Sequence, residues 1–450
     1  MLKKGNSYET VRNAFRWEIP VKYNIGVDVC DKFAAQTPNA PALIDLDPSG
    51  APRPISFLKL KQHSNKLANA LLGRGLKAGD RVGILLPQCP ETAIAHIACY
   101  KAGLIAVPLF TLFGEDALSY RLTTSGARAL ITNMENLSKV DGIRDNLGEL
   151  ALVLTIDGRT SETEDLRFVT ELASDNFTPV DSLANDPALL IFTSGTTGPP
   201  KGALHAHRTL LGHYTGVQFM HDFFPHPGDR FWTPADWAWA GGLLDVLLPS
   251  LAFGIPVLIF RSRKFDPEET FRLLADHEVR NAFLPPTALK MMRQVEKPQD
   301  RWNYAMRSIF TGGEAMGAEL MDWGRETFGF TMNEGYGQTE CNLVVGNSAT
   351  IMPAQAGSMG KPVPGHDVVV IDPEGNPRPP NEEGAIAVKA PDPVMFLEYW
   401  NDPDATEAKF NGNWLLTGDV GTVDENGYLY FVGRDDDVIT SAGYRIGPGE

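Results

Sequence analysis

Apolar residues in this chain come in short runs separated by stretches of helical periodicity, and the alternation runs through two series. In the first, Ser56 is placed to cap a helix whose Leu60, Leu67 and Leu71 share one face, with Gly73 and Gly75 as its stop. A buried-strand run from Arg81 (RVGILLP) follows, then a helix from Glu91, a strand over 105–110, a helix from Glu115 and a strand over 127–133. The second series starts after Asn185, with a strand over 188–193, a helix from about His207 and a strand over 229–234. Further strands over 255–260, 280–285 and 307–313 are spaced by helices from Asp266 and near Met291. Strands spaced by helices predict parallel sheets with right-handed crossovers. Two doubly wound α/β subdomains are therefore expected, over about 1–185 and 186–352. After about Pro353 the helical spacing stops: VVVID, EGAIAVKA and TVDENGYLYFVGR are joined by turn residues, and Glu425-Asn426-Gly427 reads as a hairpin turn. A small antiparallel, barrel-like β subdomain over 353–432 is the expectation.

One stretch, GGLLDVLLPSLAFGIPVLIF over 241–260, is apolar enough to resemble a membrane span. Asp245, Pro249 and Pro256 interrupt it, so it reads as a buried helix, a turn and a strand. The start, MLKKGNSYETVRN, has no apolar core of a secretory signal, and Glu9 argues against an organellar transit peptide. A cytoplasmic protein without a transmembrane segment is expected. With 450 residues, 43% of them hydrophobic, the chain has material for several domains and a large core. Its 56 acidic and 40 basic side chains give a net charge of −16, the wrong sign for general nucleic-acid binding. A phosphorylated ligand would need its positive partners gathered in one place. The four cysteines (Cys30, Cys89, Cys99, Cys341) form no CxxC pair, which excludes a disulfide framework or a cysteine zinc site and points to a reduced compartment.

Four segments could carry chemistry. Directly after the run ALLIF stands Thr193-Ser194-Gly195-Thr196-Thr197-Gly198-Pro199-Pro200-Lys201-Gly202. Its glycines allow tight backbone with exposed N–H groups, its hydroxyls donate, and its lysine adds charge, which together suit a polyphosphate. It is not a Walker A loop, because Gly202 rather than Ser or Thr follows Lys201. The second segment is Asn333-Glu334-Gly335-Tyr336-Gly337-Gln338-Thr339-Glu340, which offers an aromatic face, a hydroxyl and a hard oxygen ligand. A strand-end turn would use the same residue types. The third, Trp414-Leu415-Leu416-Thr417-Gly418-Asp419, places an aspartate suited to ribose hydroxyls, although Asp is also common in turns. The fourth runs from Gly433-Arg434-Asp435-Asp436-Asp437 to Ser441-Ala442-Gly443-Tyr444-Arg445-Ile446, and a charged linker is its blandest reading.

In kind, order and spacing these segments resemble the adenylate-forming superfamily of acyl-CoA synthetases, adenylation domains and luciferases, over nearly the whole chain. The medium-chain acyl-CoA synthetases are the most similar members. The resemblance implies that Thr193, Ser194, Gly195, Thr196, Thr197, Gly198 and Lys201 hold the β- and γ-phosphates of ATP. It places Gly313, Glu314 and Ala315 along the adenine, with Tyr336 stacked on it and Glu334 and Gly335 beside it. Thr339 would contact the α-phosphate and Glu340 would help hold Mg²⁺. Asp419 and Arg434 would bind the ribose, Asp436 would be the hinge of a rotating C-terminal domain, and Arg445 would meet phosphate in one orientation of that domain. Trp237, Gly312 and Gly337 would border the acyl pocket. Family members specialised for acetate carry a bulky tryptophan at the position of Gly337, so an acid larger than acetate is expected, most readily a medium-chain one. Coenzyme A is the implied acceptor, and a homodimer is carried as an expectation.

The family's catalytic lysine, from a Gly- and Lys-containing segment of the C-terminal domain, has no matching position in the 450 residues. The expectation is a large domain over 1–432, a hinge over 433–437 and the beginning of a further domain over 438–450, with slow adenylation by this polypeptide alone. An adenylate former with an aromatic or branched acid or a carrier-protein acceptor, and a nucleotide-binding remnant without catalysis, remain as alternatives. His205, His207, His213, His221 and His226 form a dense histidine group, but without cysteine or ordered carboxylates they read as structural. Ser194 is no nucleophile elbow, and Cys341 reads as a small buried hydrophobe.

Overall fold

The structure is a computed structural model. It describes residues 1–193, 198–262 and 264–435, and the backbone of 439–441 and 444–446. The described residues form three main sheets and one two-stranded ribbon, Ile439–Ser441 with Tyr444–Ile446.

The first sheet has eight strands and is parallel through Pro187–Thr193, Ile105–Pro108, Arg81–Leu85, Ala127–Thr132 and Leu152–Thr155. The second has nine, parallel from Pro41–Leu46 through Val257–Ile259, Phe231–Trp232, Asn281–Phe283 and Ser308–Gly312 to Asn333–Gln338. The third is antiparallel and built on the ten-residue strand Trp414–Val423, flanked by Gly384–Lys389 and Leu429–Arg434. Two α/β units and an antiparallel unit match the architecture expected from the sequence pattern.

Local signals act as expected. Ser56 Oγ accepts from the Lys59 amide at 3.3 Å and opens the helix Phe57–Gly73, which buries Leu60, Leu67 and Leu71. Asp266 does the same for Pro267–Asp276 through the Glu269 amide at 2.9 Å. The turn at 424–427 is held by Asp424, whose carboxylate accepts from the amides of Asn426 and Tyr428, both at 2.9 Å. The apolar stretch over 241–260 is a buried helix with a π-helical turn at Leu243–Leu247, then the strand Val257–Ile259. No helix among the described residues is long and apolar enough to cross a membrane.

One expectation changes. The split near residue 185 does not separate the sheets. Pro41–Leu46, early in the chain, pairs with Val257–Ile259 in the second sheet, while Pro187–Thr193 and Lys201–Ala206 belong to the first. A strand's sheet is chosen by which buried edge it completes, and chain order does not encode that. The segment 333–338, for which a strand-end turn was the bland alternative, forms a strand of the second sheet, and Asp419 lies within the strand Trp414–Val423.

The antiparallel unit is tied to the first sheet. Glu398–Tyr399 pairs with Lys201–Ala206, and Trp400 N donates to Gly202 O at 2.7 Å. Tyr399 is thereby fixed beside the start of that strand.

Candidate active site

A cavity of about 890 Å³ lies where the three sheets meet. From the first sheet it takes Thr193 and Lys201, which face each other as an antiparallel pair on two strands. The segment leads from strand to strand, not from strand to helix. From the second sheet come Gly312, Gly313, Glu314 and Ala315, at the carboxyl end of Ser308–Gly312. The neighbouring strand and its turn supply Glu334, Gly335, Tyr336, Gly337, Thr339 and Glu340. The third sheet adds Asp419 and Arg434. Ligands of open α/β sheets bind beyond the carboxyl ends of the strands, and this cavity occupies that place.

The polar half is organised around Asp419, which is 1% exposed. Arg434 Nη1 lies 2.6 Å from Asp419 Oδ1, because the strands Trp414–Val423 and Leu429–Arg434 set the two residues opposite each other. Asp419 Oδ2 accepts from the Tyr336 hydroxyl and from Gln338 Nε2. One carboxylate thus locks the tyrosine ring, the glutamine and the arginine. Lys201 Nζ stands 5.4 Å from the centre of the Tyr399 ring, and the Tyr399 hydroxyl donates to buried Glu340. Glu314 pairs with Lys290 at 3.5 Å. Glu334 is buried, its Oε2 has no hydrogen-bond partner among the described residues, and burial raises its carboxyl to about 7.

The other half is apolar. Trp239, Phe283, Phe310 and Leu343 line it, together with Asp245 and Asn342. Trp237, expected beside the acyl pocket, is fully buried and does not line the cavity. Trp239, which directly precedes the helix that starts at Ala240, lines the cavity instead. The sequence signal for it was present in the same Trp-Ala-Trp segment.

Gly337 also departs from expectation. A Cβ there would stand 2.2 Å from Leu343 N and 2.8 Å from Asn342 Cα. The glycine is demanded by the close approach of the two strands, so its missing side chain carries no statement about acid size.

Gly198 is described but does not line the cavity. Ser194, Gly195, Thr196, Thr197 and Asp436 lie outside the described residues, as does the side chain of Arg445. Residue-type reasoning missed Asp245, Asn342, Trp239 and Tyr399, and for Asp245 a lone acid in an apolar run was the available signal.

The histidines are structural in their surroundings. His205, His207, His213 and His221 are buried, and burial holds His205 down to about 3 and His207 and His213 down to about 4. Among the described residues no three His, Cys, Asp or Glu side chains are grouped to hold a metal. Thr215, His366 and Asp392 align like a nucleophile triad, with His366 Nδ1 2.7 Å from Asp392. All three are sealed in the interior and do not line the cavity. Burial also raises the Cys341 thiol, which makes it a poor nucleophile.

Comparison with known proteins gives a consistent answer. The family model described as AMP-binding enzyme matches residues 30–400. Rat mitochondrial acyl-coenzyme A synthetase ACSM3 is 33% identical over 456 residues, covering 99% of this chain and 78% of that protein. The acyl-CoA ligase YtcI of Bacillus subtilis is 32% identical, covering 96% of this chain and 80% of that protein. The crystal structure of a Brucella canis acyl-CoA synthetase superposes with a TM-score of 0.88 at 29% identity, covering 99% of this chain and 82% of that one. The anthranilate CoA ligase AuaEII, solved with anthranoyl-AMP, superposes at 0.86 with 26% identity, covering 96% and 81%. A cavity that joins a rigid polar set to an apolar recess, in a chain so related throughout, leaves one assignment: this chain belongs to the AMP-binding enzyme family and is an AMP-forming ligase of the acyl-CoA synthetase kind.

Proposed function

We propose that the chain activates a medium-chain or comparably sized carboxylic acid with ATP and passes the acyl group to coenzyme A. The observation that carries this reading is the single cavity in which the Asp419–Arg434–Tyr336 set and the Trp239–Phe283–Phe310 recess open onto each other. The acid's carboxylate oxygen attacks the α-phosphorus of ATP, the bond to the bridging oxygen breaks, and pyrophosphate leaves. A thiol sulfur then attacks the acyl carbonyl and AMP leaves with the carbonyl–oxygen bond pair. Neither step needs a protein nucleophile, so the residues act by positioning and by neutralising charge.

In this reading Asp419 and Arg434 take the ribose, with Tyr336 presented to the adenine by its bond to Asp419. Lys201 and Thr193 meet the phosphates, Thr339 meets the α-phosphate, and the hinge and phosphate roles of Asp436 and Arg445 belong to the same proposal. The buried carboxylate of Glu340 suits Mg²⁺, which is held by one or two carboxylates together with substrate phosphates. The ion would neutralise developing phosphate charge. At −16 net charge the protein relies on a few focused cations to hold polyanionic substrates. Four free, buried cysteines agree with a reducing compartment such as the cytoplasm.

The test is product analysis with ATP, CoA and an acid panel. AMP and acyl-CoA are expected, with hexanoate or octanoate used better than acetate. ADP as product, or acetate as the best acid, would overturn the reading. Slow adenylation by a polypeptide of these 450 residues is part of it, and pyrophosphate exchange equal to that of a longer form would remove that part.

A further inference from the structure

The apolar recess contains a carboxyl group that the adenylation chemistry does not use. Asp245 sits in the π-helical turn Leu243–Leu247, with leucine or valine on either side, and is 3% exposed while lining the cavity. π-turns inside helices re-aim a side chain and recur at functional sites.

Its surroundings are ordered by a chain of hydrogen bonds. His213 Nδ1 lies 2.7 Å from Thr209 O, and a carbonyl only accepts, so Nδ1 carries the proton and Nε2 is the acceptor. Asn342 Nδ2 stands 3.3 Å from that Nε2 and 2.8 Å from Asp245 Oδ1. Both amide hydrogens of Asn342 are thereby committed, and Asp245 is held through Oδ1. Among the described residues Asp245 makes its hydrogen bond through Oδ1 and none through Oδ2, and the His213 ring, whose Nε2 stands 4.0 Å from Oδ1, is neutral. A carboxyl buried in apolar surroundings with one hydrogen bond costs free energy that a leucine would not. Its placement at a substrate cavity is explained when a ligand supplies the missing partner.

We infer that Asp245, held by Asn342 and His213, is a specificity-determining residue that selects acids whose acyl part carries a hydroxyl group. The inference rests on the acyl-CoA synthetase reading and names the substrate class within it. Burial pushes the Asp245 carboxyl up to about 8, so at neutral pH it is protonated and Oδ2–H donates to the hydroxyl oxygen.

The test reads binding, so it does not depend on turnover. Acyl-adenylate analogues with a sulfamate in place of the phosphate are titrated calorimetrically into the 450-residue chain. The pairs are octanoyl with omega-hydroxyoctanoyl, benzoyl with para-hydroxybenzoyl and phenylpropanoyl with para-hydroxyphenylpropanoyl, together with the omega-amino and para-amino counterparts. The wild type is expected to bind a hydroxylated member about tenfold or more tighter than its plain partner. Asp245→Leu should remove or invert that ratio, while Asp245→Asn, which keeps a donor, should retain part of it. Thermal unfolding of both variants shows that they remain folded. Equal or weaker binding of every hydroxylated analogue, tighter binding of the amino members, or an unchanged ratio in Asp245→Leu would overturn the inference. Loss of binding by all analogues would instead sink the acyl-CoA synthetase reading on which it stands.

Discussion

Replacing Asp245 by asparagine isolates the free energy of burying one ionisable group. The amide has nearly the shape of the carboxyl and can still accept from Asn342, but it cannot ionise. In the folded protein burial holds the Asp245 proton up to about 8, whereas the unfolded chain releases it near the ordinary carboxyl value of 3.8. Between those two values the folded state binds the extra proton, so the stability of the wild type falls as pH rises through that window and levels off above it. At about 1.4 kcal/mol per pH unit, the whole interval from 3.8 to about 8 corresponds to a ceiling of about 6 kcal/mol. Asp236 and Glu334, raised by burial to about 6 and about 7, bend the curve in the same direction but are common to both proteins. The measurement is urea unfolding of wild type and Asp245→Asn at pH 5 and pH 9. The variant is expected to gain on the wild type by about 3 kcal/mol or more between the two conditions. A gain under about 0.5 kcal/mol would show that the carboxyl is ionised at little cost in the folded protein, and would refute the reasoning.

Asp419→Ala should leave the Arg434 guanidinium without its carboxylate, lowering unfolding stability by about 3 kcal/mol and weakening AMP binding about tenfold or more, read by calorimetry. Gly337→Trp should fail to yield a soluble folded protein, or should lose at least 3 kcal/mol or so in denaturant unfolding. Conversion to a well-folded acetate-selective enzyme would contradict the backbone clash at that position. Trp239→Ala should change acid preference in competition assays with little effect on ATP binding. Trp237→Ala should instead lower thermal stability, at a cost of about 3–5 kcal/mol for a fully buried tryptophan.

The candidate site was readable where its chemistry is concentrated in short segments. The hydroxyl- and glycine-rich run ending at Lys201, the segment ending at Glu340 and the Thr-Gly-Asp of 417–419 each carry their residue types locally, so their kind and order carried the resemblance that implied a nucleotide. What escaped were residues whose meaning depends on a neighbour far along the chain. Asp245 is an isolated acid until Asn342, almost a hundred positions later, is placed 2.8 Å away. Trp237 and Trp239 are indistinguishable by type and separated only by which one the helix after Trp239 brings to the cavity. Gly337 looked like room for substrate until the strand carrying Leu343 was laid against it.

Periodicity, caps and turn residues, which act over a few residues, were enough to indicate that this chain forms two α/β units and an antiparallel one, while the nucleotide reading came from the resemblance of its short segments to a known family. The tertiary structure alone decided which sheet each strand joins, with Pro41–Leu46 crossing to the second sheet and Pro187–Thr193 to the first. It also decided which side chains meet in the cavity. Hydrogen bonding within helices and turns is local and is written in neighbouring residues. Strand partnership and cavity lining come from burying apolar surface between distant segments, and no local pattern records which segments those will be.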